Sequence, residues 1–208
     1  GTATVTDVHC AIDPDGSGAV VIPSTWTRVP NSAFTKCAAL SSVTFQAPVQ
    51  VTAIDAYAFY ESGLASFVVP QSVSSIGASA FELCSSLTSL TLEADSALVS
   101  ISDRAFYGSG LTSIEIPALV QSIGESSFEG CPSLALVIFD QLSSLSTVGT
   151  SAFRLAGSSV AGGMKVVMQA NKQSLVTDSG SFPGTATVTD VHCAIDPDGS
   201  GAVVIPST

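Results

Sequence analysis

The sequence predicts a solenoid of stacked coils, whose lengths alternate between 22 and 25 positions and which each carry one short parallel β-strand. Two periodic features predict it. Phenylalanine recurs at successive spacings of 25, 22, 25, 22 and 25 positions, at Phe34, Phe59, Phe81, Phe106, Phe128 and Phe153. An aliphatic residue precedes each of these by five positions, at Val29, Ile54, Ile76, Ile101, Ile123 and Val148. A period of this length is typical of repeat proteins, in which each coil buries its apolar residues only against neighbouring coils.

Each predicted strand is marked by two apolar residues separated by a single residue. These pairs are Val20/Ile22, Val43/Phe45, Phe67/Val69, Leu90/Leu92, Ile114/Ile116 and Val137/Phe139. Because side chains alternate across a strand, the paired residues face the interior and the residue between them faces outward. A leucine completes the frame in each coil, at Leu40, Leu64, Leu87, Leu111 and Leu134. The predicted core contains the six phenylalanines with Leu64, Leu87, Leu111, Leu134, Ile76 and Ile123.

Coils of two kinds explain the alternating interval. In one kind a proline directly follows the strand, at Pro23, Pro70 and Pro117. We expect the other kind to carry three more residues after the strand. The longer coils should therefore form a ridge along one edge of the solenoid at every second coil.

The frame is most complete at residues 63–87, GLASFVVPQSVSSIGASAFELCSSL, and at residues 110–134, GLTSIEIPALVQSIGESSFEGCPSL. These segments resemble the BspA-like class of leucine-rich repeat, and the resemblance covers about residues 19 to 156. It implies a right-handed leucine-rich-repeat solenoid with one short parallel strand per coil. It also implies a secreted or surface protein used for adhesion and interaction, and so an extracellular or cell-surface location.

Residues 1–25 recur without a mismatch as residues 184–208, and both copies read GTATVTDVHCAIDPDGSGAVVIPST. We interpret the chain as one unit of a tandem or filament repeat, followed by the start of the next unit. Gly184 would then be the first residue of the next unit, equivalent to Gly1. An artificial extension, or numbering carried across a symmetry boundary, would produce the same identity. The predicted parts are a junction strand and turn at 1–18, the solenoid at 19–156, an irregular junction segment at 157–183, and the next unit at 184–208. Val166/Met168 and the TATVTDVHC segment are candidate strands at this junction.

Neither end shows the polar capping segment that usually closes a solenoid. We therefore expect head-to-tail continuation, either within one covalent chain or between stacked chains. Such contacts make a filament when they do not close. About eight coils at ~4.8 Å each would add about 38 Å per unit.

The composition is apolar and acidic. The chain is 46% hydrophobic and only 11% charged, with a net charge of −11. An acidic surface repels phosphate backbones, which excludes a nucleic-acid partner. The sequence contains no run of about 18 apolar residues, so it predicts no membrane span. The sequence begins at Gly1 without a signal peptide, so we expect any targeting segment to lie upstream or to have been removed.

The cysteines show no metal or redox motif, since no C-x-x-C pair occurs. Cys37, Cys84 and Cys131 lie at the same place in the proline-bearing coils. Stacking would separate them by about 9 to 10 Å, beyond the reach of a disulfide. We expect buried free thiols, with the pairs Cys10–Cys37 and Cys131–Cys193 as alternatives.

Two segments near the beginning carry candidate chemistry. Asp13 and Asp15, in DPDGSG, could begin a calcium loop, but the further carboxylates of such a loop are missing and a simple Asp-Gly turn also explains them. His9 and Cys10 are adjacent, so on a strand they would point to opposite faces and could not act as a base and a nucleophile. We predict no enzyme activity, no catalytic residue and no cofactor.

The outward strand positions form the remaining candidate site. They are Val21, Thr44, Val68, Thr91, Glu115, Ile138 and Val167. The apolar ones, Val21, Val68, Ile138 and Val167, predict a contact face that packs on a neighbouring solenoid or on the junction segment; scattered surface valines are the alternative. The predicted function is a structural extracellular filament with itself as partner. The alternative is a cell-surface adhesin whose solenoid face binds host proteins, glycans or other cells.

Overall fold

The computed structural model describes residues 3–4, 18–93, 95–141, 143–168 and 187–190, with side chains in 18–93, 95–141 and 143–168. All regular elements in these ranges are β-strands. They are short, and each long stretch of chain between them closes one coil. In the part of the chain that the structure describes, no helix has the length and apolar character needed to cross a membrane.

A first series of strands forms one wall of the solenoid. Its members are β1 (Ala3–Thr4), β2 (Ala19–Ile22), β4 (Ser42–Phe45), β6 (Ser66–Val69), β8 (Ser89–Leu92), β10 (Ser113–Ile116), β12 (Leu136–Phe139), β14 (Lys165–Met168) and β15 (Thr187–Asp190). All pairs in this series are parallel. The predicted solenoid with a short parallel strand in each coil is therefore confirmed.

Each coil adds a second, two-residue strand that the sequence did not predict. These strands are β3 (Arg28–Val29), β5 (Ala53–Ile54), β7 (Ser75–Ile76), β9 (Ser100–Ile101), β11 (Ser122–Ile123) and β13 (Thr147–Val148). They form a continuous six-stranded parallel sheet. Two residues are too few to show a period-2 pattern, so only the aliphatic residue at each strand end was visible in the sequence.

The first series is interrupted, whereas the second is not. Hydrogen-bonded ladders join β1-β2-β4, then β6-β8, then β10-β12-β14-β15. In the pairs β2–β4, β6–β8 and β10–β12, equivalent residues such as Val20 and Val43 lie 23 positions apart. Across the interruptions the equivalent residues, such as Leu90 and Ile114, lie 24 positions apart. The ladder thus breaks where a longer coil precedes a proline-bearing coil.

The prediction of three extra residues after the strand in the longer coils was wrong in detail. Ile22 and Val29 are 7 positions apart, and their equivalents in the next coil, Phe45 and Ile54, are 9 apart, so two residues are added there. The third residue lies elsewhere. In the proline-bearing coils, one more residue separates the phenylalanine from the following leucine. The Phe-to-Phe interval combines both differences, because it runs from one kind of coil into the other.

A stack of phenylalanine rings runs through the core. Consecutive rings from Phe34 to Phe153 have centroids 5.2, 5.0, 5.2, 5.1 and 4.9 Å apart, and their planes are within 14° of parallel. Backbone hydrogen bonds hold this spacing; the Phe106 amide, for example, donates to the Ser127 carbonyl at 2.7 Å. All twelve predicted core residues are at most 3% exposed. The core therefore extends along the solenoid axis without a gap between coils.

Candidate binding surfaces

The strand face consists of the outward side chains of the first strand series. Val68 is the most exposed apolar residue on it, at 47%, while Val21, Ile138 and Val167 are half-buried. Thr44, Thr91 and Glu115 alternate with them and are exposed. The predicted contact residues thus lie on one face of the solenoid. Ile138 and Val167 are direct strand partners, whereas Thr44, Thr91 and Glu115 separate the others.

An acidic cleft opens beside the strand face at the interruption between β8 and β10. It has a volume of about 850 Å³ and carries the carboxylates of Glu93, Asp95, Glu115 and Asp140. Glu93, Asp95, Ser96 and Asp140 flank it, and the shorter turn at Pro117 lies between them. The Glu93 carboxylate accepts a hydrogen bond from the Gln71 amide at 2.9 Å, so it caps the neighbouring coil. The ridges expected from the longer coils are the walls of this cleft.

The opposite surface, which we call the turn face, is built around the phenylalanine stack. In every coil the residue two positions before the phenylalanine and the residue two positions after it adopt positive φ. Serine occupies the first of these positions four times, at Ser32, Ser79, Ser126 and Ser151, and Tyr57 and Arg104 occupy the others. This double left-handed turn reverses the chain. Its first residue is exposed or half-buried in five coils, whereas Ser79 is buried.

All three tyrosines of the chain lie on the turn face, within two positions of Phe59 or Phe106. Tyr57 and Tyr60 pack edge to face with their centroids 5.8 Å apart, and Tyr57 is 45% exposed. Tyr107 lies beneath the Arg104 guanidinium, whose Cζ is 4.3 Å from the ring centroid. A depression of about 580 Å³ lies between these coils and is lined by Ser32, Thr35, Tyr57, Tyr60, Ser79, Glu82 and Arg104. We call these seven residues and Tyr107 the tyrosine patch.

Ion pairs and hydrogen bonds hold the tyrosine patch in place. Arg104 donates from Nε and Nη2 to the two carboxylate oxygens of Glu82, at 3.1 and 2.6 Å. Burial disfavours the Glu82 carboxylate, but hydrogen bonds from Arg104 and Ser79 and the Arg104 charge hold its pKa below the ordinary value. A hydrogen bond with Glu61, aided by burial, raises the pKa of Tyr60. The coils of Phe59 and Phe106 thus present fixed tyrosine rings on either side of the ion pair between Glu82 and Arg104.

Sequence reasoning missed the tyrosine patch because it examined the strand face for aromatic residues. The signal was present in the sequence, since Tyr57, Tyr60 and Tyr107 flank core phenylalanines at the turn positions. Their proximity depends on adjacent coils bringing together side chains that are far apart in the chain. Only the stacking of the coils shows that.

The cysteines depart in part from expectation. Cys84 and Cys131 are buried free thiols, so the alternative Cys131–Cys193 pair is excluded. Cys37 was expected to be a free thiol, but it is disulfide-bonded, and its partner lies outside the described residues. The stacking argument excluded only pairs between equivalent positions, and Cys37 lies in the first repeat coil, next to the junction segment.

The remaining candidates lie outside the described residues. These are the calcium candidates Asp13 and Asp15, the pair His9 and Cys10, and Cys193. In the ranges where side chains are described, no three His, Cys, Asp or Glu residues form a group able to hold a metal ion.

The repeat geometry agrees with a known family. The model of the BspA type leucine rich repeat region matches residues 17–135 and 99–160, with six copies. The chain belongs to this family. Since a BspA-type region is a structural repeat, the match indicates no catalytic family. A comparison with curated proteins found no match.

Solved structures share the BspA-type fold. A leucine-rich-repeat protein of Treponema pallidum is 27% identical, with a TM-score of 0.51, and the match covers 73% of this chain and 59% of that one. A leucine-rich cell surface protein of Faecalibacterium prausnitzii is 25% identical, with a TM-score of 0.50, covering 73% and 54%. The pneumococcal vaccine antigen PcpA is 21% identical, with a TM-score of 0.53, covering 67% and 48%. The chain therefore spans about half the length of these proteins.

Proposed function

We propose that this BspA-type chain is a structural surface protein whose leucine-rich-repeat units continue one another end to end in an extracellular filament. The observation that carries the proposal is the strand pairing of the two copies of the repeated segment. Its first copy contributes β1, which pairs with β2, and its second copy contributes β15, which pairs with β14. One segment therefore has a strand partner on each of its two sides.

Thr4 and Thr187 are the same position of the repeated segment. Thr187 pairs with Lys165 of β14, and Thr4 pairs with Val21 of β2. A single junction strand with both partners would join β14 of one unit to β2 of the next. The parallel ladder would then continue across the boundary between units.

The register of these pairs is compatible with such continuity. Lys165 is the first residue of its strand, whereas Val21 is the third residue of its own. The offset across the junction is therefore two residues. Since side chains alternate with period 2, a two-residue offset keeps inward residues inward and outward residues outward. The core could pass through the junction with its apolar side preserved.

One further observation supports a surface role. A solved structure of similar fold, 25% identical, is a leucine-rich cell surface protein of Faecalibacterium prausnitzii.

Electron microscopy of the native material tests the filament. We expect filaments with an axial repeat near ~38 Å, from about eight strands per unit spaced ~4.8 Å apart. Denaturing mass measurement would then separate a covalent array of units from stacked chains. Single dispersed particles at high protein concentration would contradict the proposal.

Proline substitutions in β15 sharpen the test. Along a strand, the backbone groups of consecutive residues point to opposite edges, and proline removes the amide donor. Of Val188→Pro and Thr189→Pro, one therefore removes a donor directed at β14 and the other a donor directed at the edge where the next unit would pair. We expect both to shorten the filaments, with Thr189→Ala as a control that keeps the amide. Full-length filaments from both proline variants would argue against a junction through this strand.

An adhesive role is the second candidate, and the tyrosine patch favours it. Exposed tyrosine and arginine side chains are enriched at binding surfaces. A shaft and an adhesive face are compatible in one molecule, because the patch and the strand series lie on different faces.

A further inference from the structure

The tyrosine patch is organised before any ligand arrives. Tyr57 packs on Tyr60, and Arg104 is held by two hydrogen bonds to Glu82 while it covers Tyr107. Glu82 itself is only 5% exposed. Binding here would freeze few side chains, which lowers the entropic cost of association.

The depression is electrically neutral. Among the seven residues that line it, only Glu82 and Arg104 are charged, and they neutralise each other. An anionic or cationic ligand would have to compete with this pair. A neutral ligand would not, and it could still use the guanidinium protons of Arg104 that remain free.

Hydroxyl groups dominate the rest of the lining. Ser32, Thr35, Tyr57, Tyr60 and Ser79 each carry one. Thr35 donates its proton to the Tyr57 carbonyl at 2.8 Å, and Ser32 donates to Asn31 Oδ1 at 2.7 Å. The exposed Ser32 oxygen keeps acceptor capacity toward a ligand that donates hydrogen bonds. The walls therefore offer aromatic faces together with mixed donors and acceptors.

We infer that the tyrosine patch is a binding site for neutral glycans. A sugar ring presents apolar C–H groups on its faces and hydroxyl groups at its edges. The Tyr57 and Tyr60 rings match the faces, and the Arg104 guanidinium and the exposed Ser32 hydroxyl match the edges. A proline-rich peptide would also use aromatic walls, but it needs mainly donors for its carbonyl groups, whereas this lining is rich in acceptors as well.

This inference names the ligand class of the adhesive role and does not depend on the filament. Filaments that bind no glycan would overturn the proposed glycan site and leave the filament proposal standing. Glycan binding by a protein that forms no filaments would overturn the filament proposal and leave the glycan site standing.

The repeat itself supplies the test variants. Ser32 and Thr35 occupy, in the first coil, the positions of Tyr57 and Tyr60 in the second. Ser32 and Tyr57 also share a φ of 57°. The double variant Tyr57→Ser/Tyr60→Thr therefore copies residues that the same turn already accepts. Leu155→Lys is the matched control, since Leu155 is 53% exposed on the turn face several coils away and Lys36 occupies its position in the first coil.

The experiment probes the full chain with an array of neutral oligosaccharides made of hexoses and N-acetylhexosamines. Sialylated and sulfated oligosaccharides and a proline-rich peptide are included as competing probes. Calorimetric titration with the best neutral oligosaccharide then gives the dissociation constant. We expect at least a tenfold weaker affinity for the double variant and for Arg104→Lys, which loses the planar fork. Leu155→Lys should bind like the wild type, and all variants should keep the wild-type melting temperature within a few degrees.

Three outcomes would overturn the site. The first is no binding of any neutral oligosaccharide. The second is an affinity unchanged in the double variant. The third is binding restricted to charged glycans or to the proline-rich peptide, which would assign the patch to another class of ligand.

Discussion

The thiol of Cys131 donates a hydrogen bond to the backbone carbonyl of Phe106, with an Sγ–O distance of 3.1 Å. Cys84 makes the same contact with Phe59, at 2.9 Å. A serine hydroxyl from the preceding coil also approaches each sulfur, Ser109 at 3.3 Å and Ser62 at 3.5 Å. The cysteine therefore satisfies a buried carbonyl between coils, which explains its place in the repeat without any redox role.

The Cys131 thiol should make stability depend on alkaline pH. Burial raises the pKa of Cys131 to about 11 from its ordinary 9.0. Because the pKa is higher in the folded chain, the protonated thiol contributes its full stabilisation below pH 9 and loses it as the pH rises through 11. We expect the free energy of unfolding to fall by about 2 to 3 kcal/mol over this interval for this group. Urea unfolding of the wild type and of Cys131→Ala, which copies Ala156, isolates the effect. Parallel pH profiles for the two proteins would contradict it.

The phenylalanine stack should be highly sensitive to truncation. Phe106 is fully buried between Phe81 and Phe128, with centroids 5.2 and 5.1 Å away. Phe106→Ala would leave a cavity that adjacent coils cannot fill, so we expect a loss of about 3 to 5 kcal/mol in denaturant unfolding. Leu119→Ala, at a residue 52% exposed, should change stability by less than about 0.5 kcal/mol. A melting temperature unaffected by Phe106→Ala would remove this ring from the core.

Ser127→Ala should stabilise the protein. In the described side chains, the Ser127 hydroxyl is the buried polar atom without a hydrogen-bond partner. The residue directly before each of the other five core phenylalanines is alanine. Removing an unsatisfied hydroxyl should raise the free energy of unfolding by about 1 kcal/mol, measured by urea denaturation. Ala105→Ser, the reverse change in the neighbouring coil, should lower it; a less stable Ser127→Ala variant would show that the hydroxyl has a partner after all.

The Glu82–Arg104 pair should make stability depend on acidic pH. The pKa of Glu82 is lower in the folded chain than its ordinary 4.5, despite the opposing effect of burial. Its contribution is therefore present above pH 4.5 and is lost as the pH falls through the lower folded value. Glu82→Gln should be less stable at pH 7 and should show a flatter stability profile between pH 2 and 6. A wild-type profile for Glu82→Gln would refute the coupling.

The sequence predicted well which residues are buried at regular intervals. Phe106, Ile101 and Leu111 recur in each coil because inward positions select apolar residues, and this selection leaves a countable interval in the chain. The first strand series and the candidate strand at Val166 and Met168 followed from it. The two residues of β9 left no such interval, so the second sheet was not foreseen.

The sequence by itself determined the repeat, the inward-facing residues and the identity of the two copies of the junction segment. The tertiary structure alone decided which outward residues become neighbours. Tyr60 and Arg104 are 44 positions apart in the chain, yet both line one depression, and Cys131 meets Phe106 across 25 positions. The physical reason is the stagger between coils. The strand-to-strand spacing, which alternates between 23 and 24 positions, sets which turn residues stack. The period of the sequence does not predict the lateral offset between one coil and the next.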